Sequence, residues 1–154
     1  MRSLALKISM AVLSMIPLVA KAELIVLASP QSNDAYYAKM IDDIFDFHVD
    51  YAKKIIKNGD NVVVLTDKGL YPDYVKALGT KHVAIAPMHD IWMRDFTSAN
   101  PAQPVMFRYT AAGQGGAKKG QTISDEVQDE FKYYSQKAGL QFSQSKLLND
   151  GGNW

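Results

Sequence analysis

An α/β fold built on a parallel sheet is what this sequence predicts, on three observations. Short apolar or β-branched runs, ELIVLAS (23–29), NVVVLT (61–66) and HVAIA (82–86), have the length and boundaries of buried strands. Between them lie segments with apolar residues at three- and four-residue steps, the period of one helix face. Each connection is long enough for the crossover that parallel strands require.

The elements follow in order. Pro30 closes the first strand, and Asn33 or Asp34 can cap what comes next, because a short polar side chain accepts from the orphan amides of a first helical turn. A helix is expected over 35–57, with Tyr37, Ile41, Ile44, His48, Ala52 and Ile55 along one face. Asn58-Gly59 ends it, glycine tolerating the left-handed conformation of a helix terminus. The strand NVVVLT comes next. YPDYVKAL (71–78) is a short helix with Pro72 near its start, and HVAIA (82–86) is the third strand. A charged cluster intervenes before VMFRY (105–109), another strand. TAAGQGGAKKGQ (110–121) has the glycines of a loop. A helix is expected over 124–138, with Ser124 as N-cap, Asp125 and Glu126 in the first turn and Gly139 as terminator. LQFSQ (140–144) and KLLN (146–149) read as two further strands. No internal repeat or low-complexity segment is present.

The N-terminus is of another kind. Arg2 and Lys7, an apolar run from Ile8 to Ala20 and the small-x-small triplet Ala20-Lys21-Ala22 read as a secretory signal peptide cleaved after Ala22, with a retained signal anchor as the alternative. The run is too short to span the ~30 Å bilayer core. The expected organisation is therefore a leader over 1–22 and one domain over 23–154, exported to the periplasm or the exterior. Cleavage removes Arg2, Lys7 and Lys21 and no acid, leaving 14 basic against 16 acidic side chains and a formal charge of −2. Nucleic acid is excluded as an expected partner, and so is a membrane once the leader is gone. The chain has no cysteine, so neither disulfides nor thiol chemistry are available to these residues.

Few residues are candidates for chemistry. His48 and Asp50 form a His-x-Asp pair, but residues two apart on a helix face different ways, and His48 belongs to the apolar stripe as a packed or capping residue. His82 opens a strand with no partner that the sequence identifies. GQGGAKKG (113–120) lacks the Gly-Lys-Ser/Thr ending of a phosphate loop and reads as a loop over a site. The cluster HDIWMRDF (89–96) differs in kind. It follows an apolar strand at the carboxyl edge, where open α/β sheets bind ligands. If 91–96 is extended, Trp92, Arg94 and Phe96 point one way and Ile91, Met93 and Asp95 the other. A carboxylate with a Trp can hold a flat cation, the carboxylate taking its N–H edge and the ring its face. An ion pair of Arg94 with Asp90 or Asp95, tying down a loop, fits the residue types equally well.

HDIWMRDF resembles the Trp-x-Arg-Asp motif of the agmatine deiminase and Porphyromonas-type bacterial peptidylarginine deiminase family, and NDGGNW (149–154) resembles the acidic-Gly-Gly-Asn motif that follows it there. The resemblance spans Glu23 to Trp154. It implies a pentein-like α/β fold, five modules in a propeller, of which this chain would hold roughly the first two. The implied activity is hydrolysis of a guanidinium to a ureido group with release of ammonia, on a small-molecule or peptide guanidinium substrate. It implies that Asp95 holds the guanidinium, that Trp92 lines the pocket, that Asp150 and Asn153 belong to the substrate-binding shell, and that Arg94 supports them. No cofactor is implied, and no spacing suggests metal ligands. The family's nucleophile is a Cys thiolate and its general acid/base a His with an Asp two residues on; neither the Cys nor that downstream His-x-Asp occurs in these 154 residues. The chain is accordingly expected to carry substrate-binding residues without the catalytic set; a non-catalytic guanidinium-binding module is the alternative.

Overall fold

The computed structural model describes residues 22–99, 104–110 and 117–148. The rest of the expected leader, Asp150, Asn153 and residues 113–116 of the glycine-rich stretch lie outside them. Strands β1 (Leu24–Ala28), β2 (Asn61–Thr66) and β3 (Val83–Ile85) form a parallel sheet in that spatial order. Leu24 to Ala28 pair with Asn61 to Leu65, and Val64 to Thr66 with Val83 to Ile85. β2 is central and alternates. Val62, Val64 and Thr66 are buried, while Val63 and Leu65 are half-buried.

Helices α1 (Ile41–Asn58) and α2 (Tyr71–Leu78) make the two crossovers. Ala52 and Ile55 of α1 pack on Val62, and Tyr74 of α2 packs on Val64 and Val83. α1 starts six residues later than its periodicity predicts. Asp34 Oδ1 accepts from the amides of Tyr36 and Tyr37 at 2.7 and 3.4 Å, closing a separate series of turns over 35–40, so its cap serves those turns and not the helix. Gly59 ends α1 as expected, at φ 94°. The third strand is shorter than HVAIA, because His82 closes a 3-10 turn over Thr80–His82.

A second sheet holds β4 (Ser98–Ala99), β5 (Val105–Arg108) and β6 (Ser143–Leu148), with β4 antiparallel and β6 parallel to β5. β6 is one strand where the sequence suggested two. Helix α4 (Ala117–Lys137) connects β5 to β6 and begins seven residues before the expected start. Ser124 is therefore inside the helix, its Oγ donating back to the carbonyl of Gly120 at 2.8 Å instead of capping. The physical reason is that Ala-Lys-Lys propagates a helix well and one interior glycine costs only ~1 kcal/mol. Asp125 is thereby a mid-helix residue, paired with Arg108 at 3.0 Å. Ala28, Ala86, Met88, Phe96, Tyr109 and Val127 form a core cluster that draws on both sheets and on α4. No described helix is long and apolar enough to cross a membrane.

Candidate functional site

The chain leaves β3 at its carboxyl end and runs through residues 86–92 into a single helical turn, α3 (Met93–Phe96). This corrects the extended reading of 91–96. The amide of Asp95 donates to the Trp92 carbonyl at 2.9 Å and that of Thr97 to Met93 at 3.2 Å. Burial of Phe96 accounts for the turn. Its ring is fully buried, 5.9 Å from Tyr109 and 6.0 Å from Phe131, and the helical turn delivers it there while Trp92 stays 59% exposed. An extended segment would put Trp92 and Asp95 on opposite sides, whereas a helical turn brings positions three apart close together. Asp95 is half-buried and Arg94 exposed. Asp150 and Asn153 lie outside the described residues.

The turn is anchored at both ends by contacts the sequence did not mark. Asp90 is 5% exposed, and its Oδ1 accepts from the Tyr37 hydroxyl at 3.0 Å and from the Ile91 amide at 2.7 Å. Burial, reinforced by the charge and hydrogen bond of Asp90, pushes the Tyr37 phenol well above its ordinary range, so it remains a proton donor to that carboxylate. Glu130 of α4 takes the residue before Asp90, its Oε2 accepting from the His89 amide at 2.8 Å and lying 2.6 Å from His89 Nδ1. At the other end, Gln128 Nε2 donates to the carbonyls of Phe96 (3.3 Å) and Phe107 (2.6 Å), and its Oε1 accepts from the Tyr109 amide at 3.3 Å. Tyr37 and Gln128 stand 53 and 32 residues from the groups they hold at the turn. Local pattern carries no trace of such contacts.

The carboxyl ends of β1 and β2 are fastened to each other beside this segment. Ser29 Oγ donates to Thr66 Oγ1 at 2.8 Å, and Asp67 Oδ2 accepts from the amide and hydroxyl of Ser32 at 2.9 and 2.5 Å. Gly69 packs so close that an added Cβ would lie 2.2 Å from Ser32 Oγ.

Other polar features stand apart from the turn. His48 is buried with Nδ1 3.0 Å from the Tyr74 hydroxyl, the packed role expected of it, and burial lowers its pKa to about 4. His82, with no partner identifiable from sequence, has its Nδ1 3.0 Å from the Val62 carbonyl. A cavity of about 270 Å³ between β5, β6 and α4 contains the Arg108–Asp125 and Lys132–Asp129 pairs and no residue of the turn. Among the described residues no group of three or more His, Asp or Glu is placed to hold a metal ion.

The described strands and helices make a mixed α/β fold that holds the Trp-x-Arg-Asp segment as a turn anchored at both ends. The backbone is similar to that of C. jejuni agmatine deiminase, with a TM-score of 0.61 at 17% identity over 86% of this chain and 40% of that one. A Cys-to-Ser form of the C. jejuni enzyme with substrate bound gives a TM-score of 0.61 at 16% identity, over 86% of this chain and 39% of that one. The chain thus spans about two fifths of the length of these solved relatives. A family model of Porphyromonas-type peptidyl-arginine deiminase matches residues 14–154, and the chain belongs to that family. No curated protein matches it in sequence.

Proposed function

We propose that these residues form the guanidinium-recognising part of an exported guanidino-group deiminase of pentein architecture, acting on peptidyl-arginine or agmatine. Asp95 takes the N–H edge of the guanidinium, Trp92 covers its face, Arg94 supports the turn, and Asp150 and Asn153 extend the shell. The observation that supports this reading is the helical turn itself, which brings positions 92 and 95 within one turn and is anchored at both ends by buried hydrogen bonds. A carboxylate held in place loses little freedom on binding, which is what planar bidentate recognition requires.

The reaction needs a nucleophile to attack the guanidinium carbon and a group to protonate the departing ammonia. These 154 residues hold no cysteine, so they are assigned to binding and orientation and to no bond-making step. Titration calorimetry of agmatine and of N-acetyl-arginine amide into the 154-residue chain tests the reading. Binding that Asp95→Asn weakens at least about tenfold, the ~1.4 kcal/mol or more of a charge-assisted contact, is expected. Equal binding by the variant would overturn it. Any ureido product formed by the pure chain would overturn the assignment to binding alone. Export is checked separately by sequencing the N-terminus of chain secreted from a bacterial host, where Glu23 is the expected first residue.

A further inference from the structure

We propose that Asp60 captures the α-ammonium of Glu23 once the leader is removed, so that processing completes an ion pair at the start of β1. The inference rests on the proposed export, in which Glu23 becomes the first residue. Asp60 is set in place by the end of α1. Gly59, at φ 94°, donates to the Ile56 carbonyl at 3.1 Å, and the Asp60 amide donates to the Ile55 carbonyl at 3.2 Å, the pair of bonds by which a glycine closes a helix. The Asp60 carboxylate is then held by both oxygens. Asn58 Nδ2 donates to Oδ2 at 3.0 Å, and the Glu23 nitrogen, 37 residues away in sequence, donates to Oδ1 at 3.1 Å. The Glu23 carbonyl in turn accepts from the Asn61 amide at 2.8 Å, just before Leu24 enters the sheet opposite Asn61. The residue expected to begin the mature chain is thus bonded at its nitrogen and at its carbonyl.

Cleavage changes the chemistry of that nitrogen and leaves its partner in place. Hydrolysis of the Ala22–Glu23 bond puts the oxygen of water on the Ala22 carbonyl carbon, which departs with the leader as a carboxylate, and both hydrogens on the Glu23 nitrogen. A neutral amide donor becomes an ammonium facing a carboxylate, a charge-assisted bond in place of an ordinary one. The nearby C-terminal end of α1, negative by its dipole, favours the same charge. The hydrogen bonds from Asn58 and Glu23 hold the Asp60 carboxyl below the usual carboxylate range, so it is ionised wherever an α-amine titrates. Other charges interfere little at this corner. Among the described residues Lys57, in the last turn of α1, forms no ion pair with Asp60. The Glu23 side chain is exposed, β2 has no charged residue, and Lys81 and His82 lie on the β3 side of β2. An α-amine that ordinarily titrates at about 7.7–8.0 is therefore raised in the folded mature chain. Its contribution is fully present below the unfolded value and is lost as pH rises through the folded one. A chain that keeps its leader carries no charge at this nitrogen and lacks that dependence.

The test uses protein secreted from a bacterial host, wild type and Asp60→Asn, after N-terminal sequencing has read the first residue. Sparse acetylation of the α-amine across the range in which it titrates, followed by mass spectrometry of the N-terminal peptide, reports the unprotonated fraction at each pH. The wild-type midpoint is expected at least about half a pH unit above the ordinary 7.7–8.0 or so, and back within that range both in Asp60→Asn and in wild type unfolded in urea. Asparagine keeps an oxygen for the bond and loses only the charge, so the variant isolates the ion pair from the fold. With Glu23 confirmed as first residue, an equal midpoint in wild type and variant, or in folded and unfolded wild type, would overturn the ion pair and leave export standing. A different first residue would overturn the export reading and the pair with it.

Discussion

Desolvation at His48 links a single residue to the pH dependence of the whole fold. Its imidazole is buried against the Tyr74 hydroxyl and titrates near 4, against 6.5 when unfolded. Between those values the unfolded chain binds the extra proton, so stability rises with pH across the window. The contribution is fully present above about pH 6.5 and is lost as pH falls toward 4, to the extent of roughly 2–3 kcal/mol. His48→Gln keeps a partner for Tyr74 and cannot titrate, so its urea midpoint should be flatter than wild type between pH 4 and 6.5. Parallel pH profiles for the two chains would remove His48 as the cause. At this scale the site was partly legible. Trp92 and Asp95 stood out by type, since a carboxylate beside an indole is what a flat cation needs. Asp90 and Asp95 stood out as possible partners for Arg94, and the fold adds that the Asp90 carboxylate accepts from Tyr37, 53 residues away.

Elements depend on contacts of two ranges, and that difference decides which of them could be read ahead. Gly59 and Gly139, at φ 94° and 76°, end helices where the sequence places the stops, because a left-handed terminus is a local requirement. The α3 turn is set instead by the burial of Phe96, and α4 extends over Ser124 because backbone propagation outweighs a possible cap. The link between the ends of β1 and β2 is also long-range. An alanine Cβ at Gly69 would sit 2.2 Å from Ser32 Oγ and 2.6 Å from Ser32 Cβ. Gly69→Ala should therefore cost about 1–3 kcal/mol by overpacking, and adding Ser32→Gly, which removes both atoms, should recover part of it. Additive costs in that double-mutant cycle would show that the two positions do not touch in solution. Gln128 spans three elements in the same manner. Gln128→Leu strands the Tyr109 amide and two carbonyls, with an expected loss of roughly 2–4 kcal/mol, and amide exchange should accelerate at Thr97 and Tyr109 before it does in β2.

The two sheets behave as one unit only to the extent that their shared core holds. Ala28, Ala86 and Met88 reach that core from the ends of the first sheet, Tyr109 follows β5 of the second, and Val127 comes from α4. Phe96 lies among them with no exposed surface and is the residue next to Asp95. Under the proposed function its ring couples cooperativity to recognition, because the buried side chain that closes the core belongs to the turn that carries Asp95 and follows Trp92. Phe96→Ala removes the ring and leaves a cavity between the layers, at a cost of about 3–5 kcal/mol. The wild type should unfold in one transition, with amides of β2 and α4 exchanging at a common limiting free energy. In the variant the α4 side should open first, and agmatine affinity should drop by a larger factor than global stability alone explains at a pH and temperature where the chain is still folded. Phe96→Leu, which refills most of the volume, should restore stability more completely than affinity, since a branched aliphatic packs the core without reproducing the edge contacts to Tyr109 and Phe131. A Phe96→Ala chain that keeps wild-type affinity while folded would show that the turn is held by Asp90 and Gln128 alone, with the core contributing stability and nothing to the site.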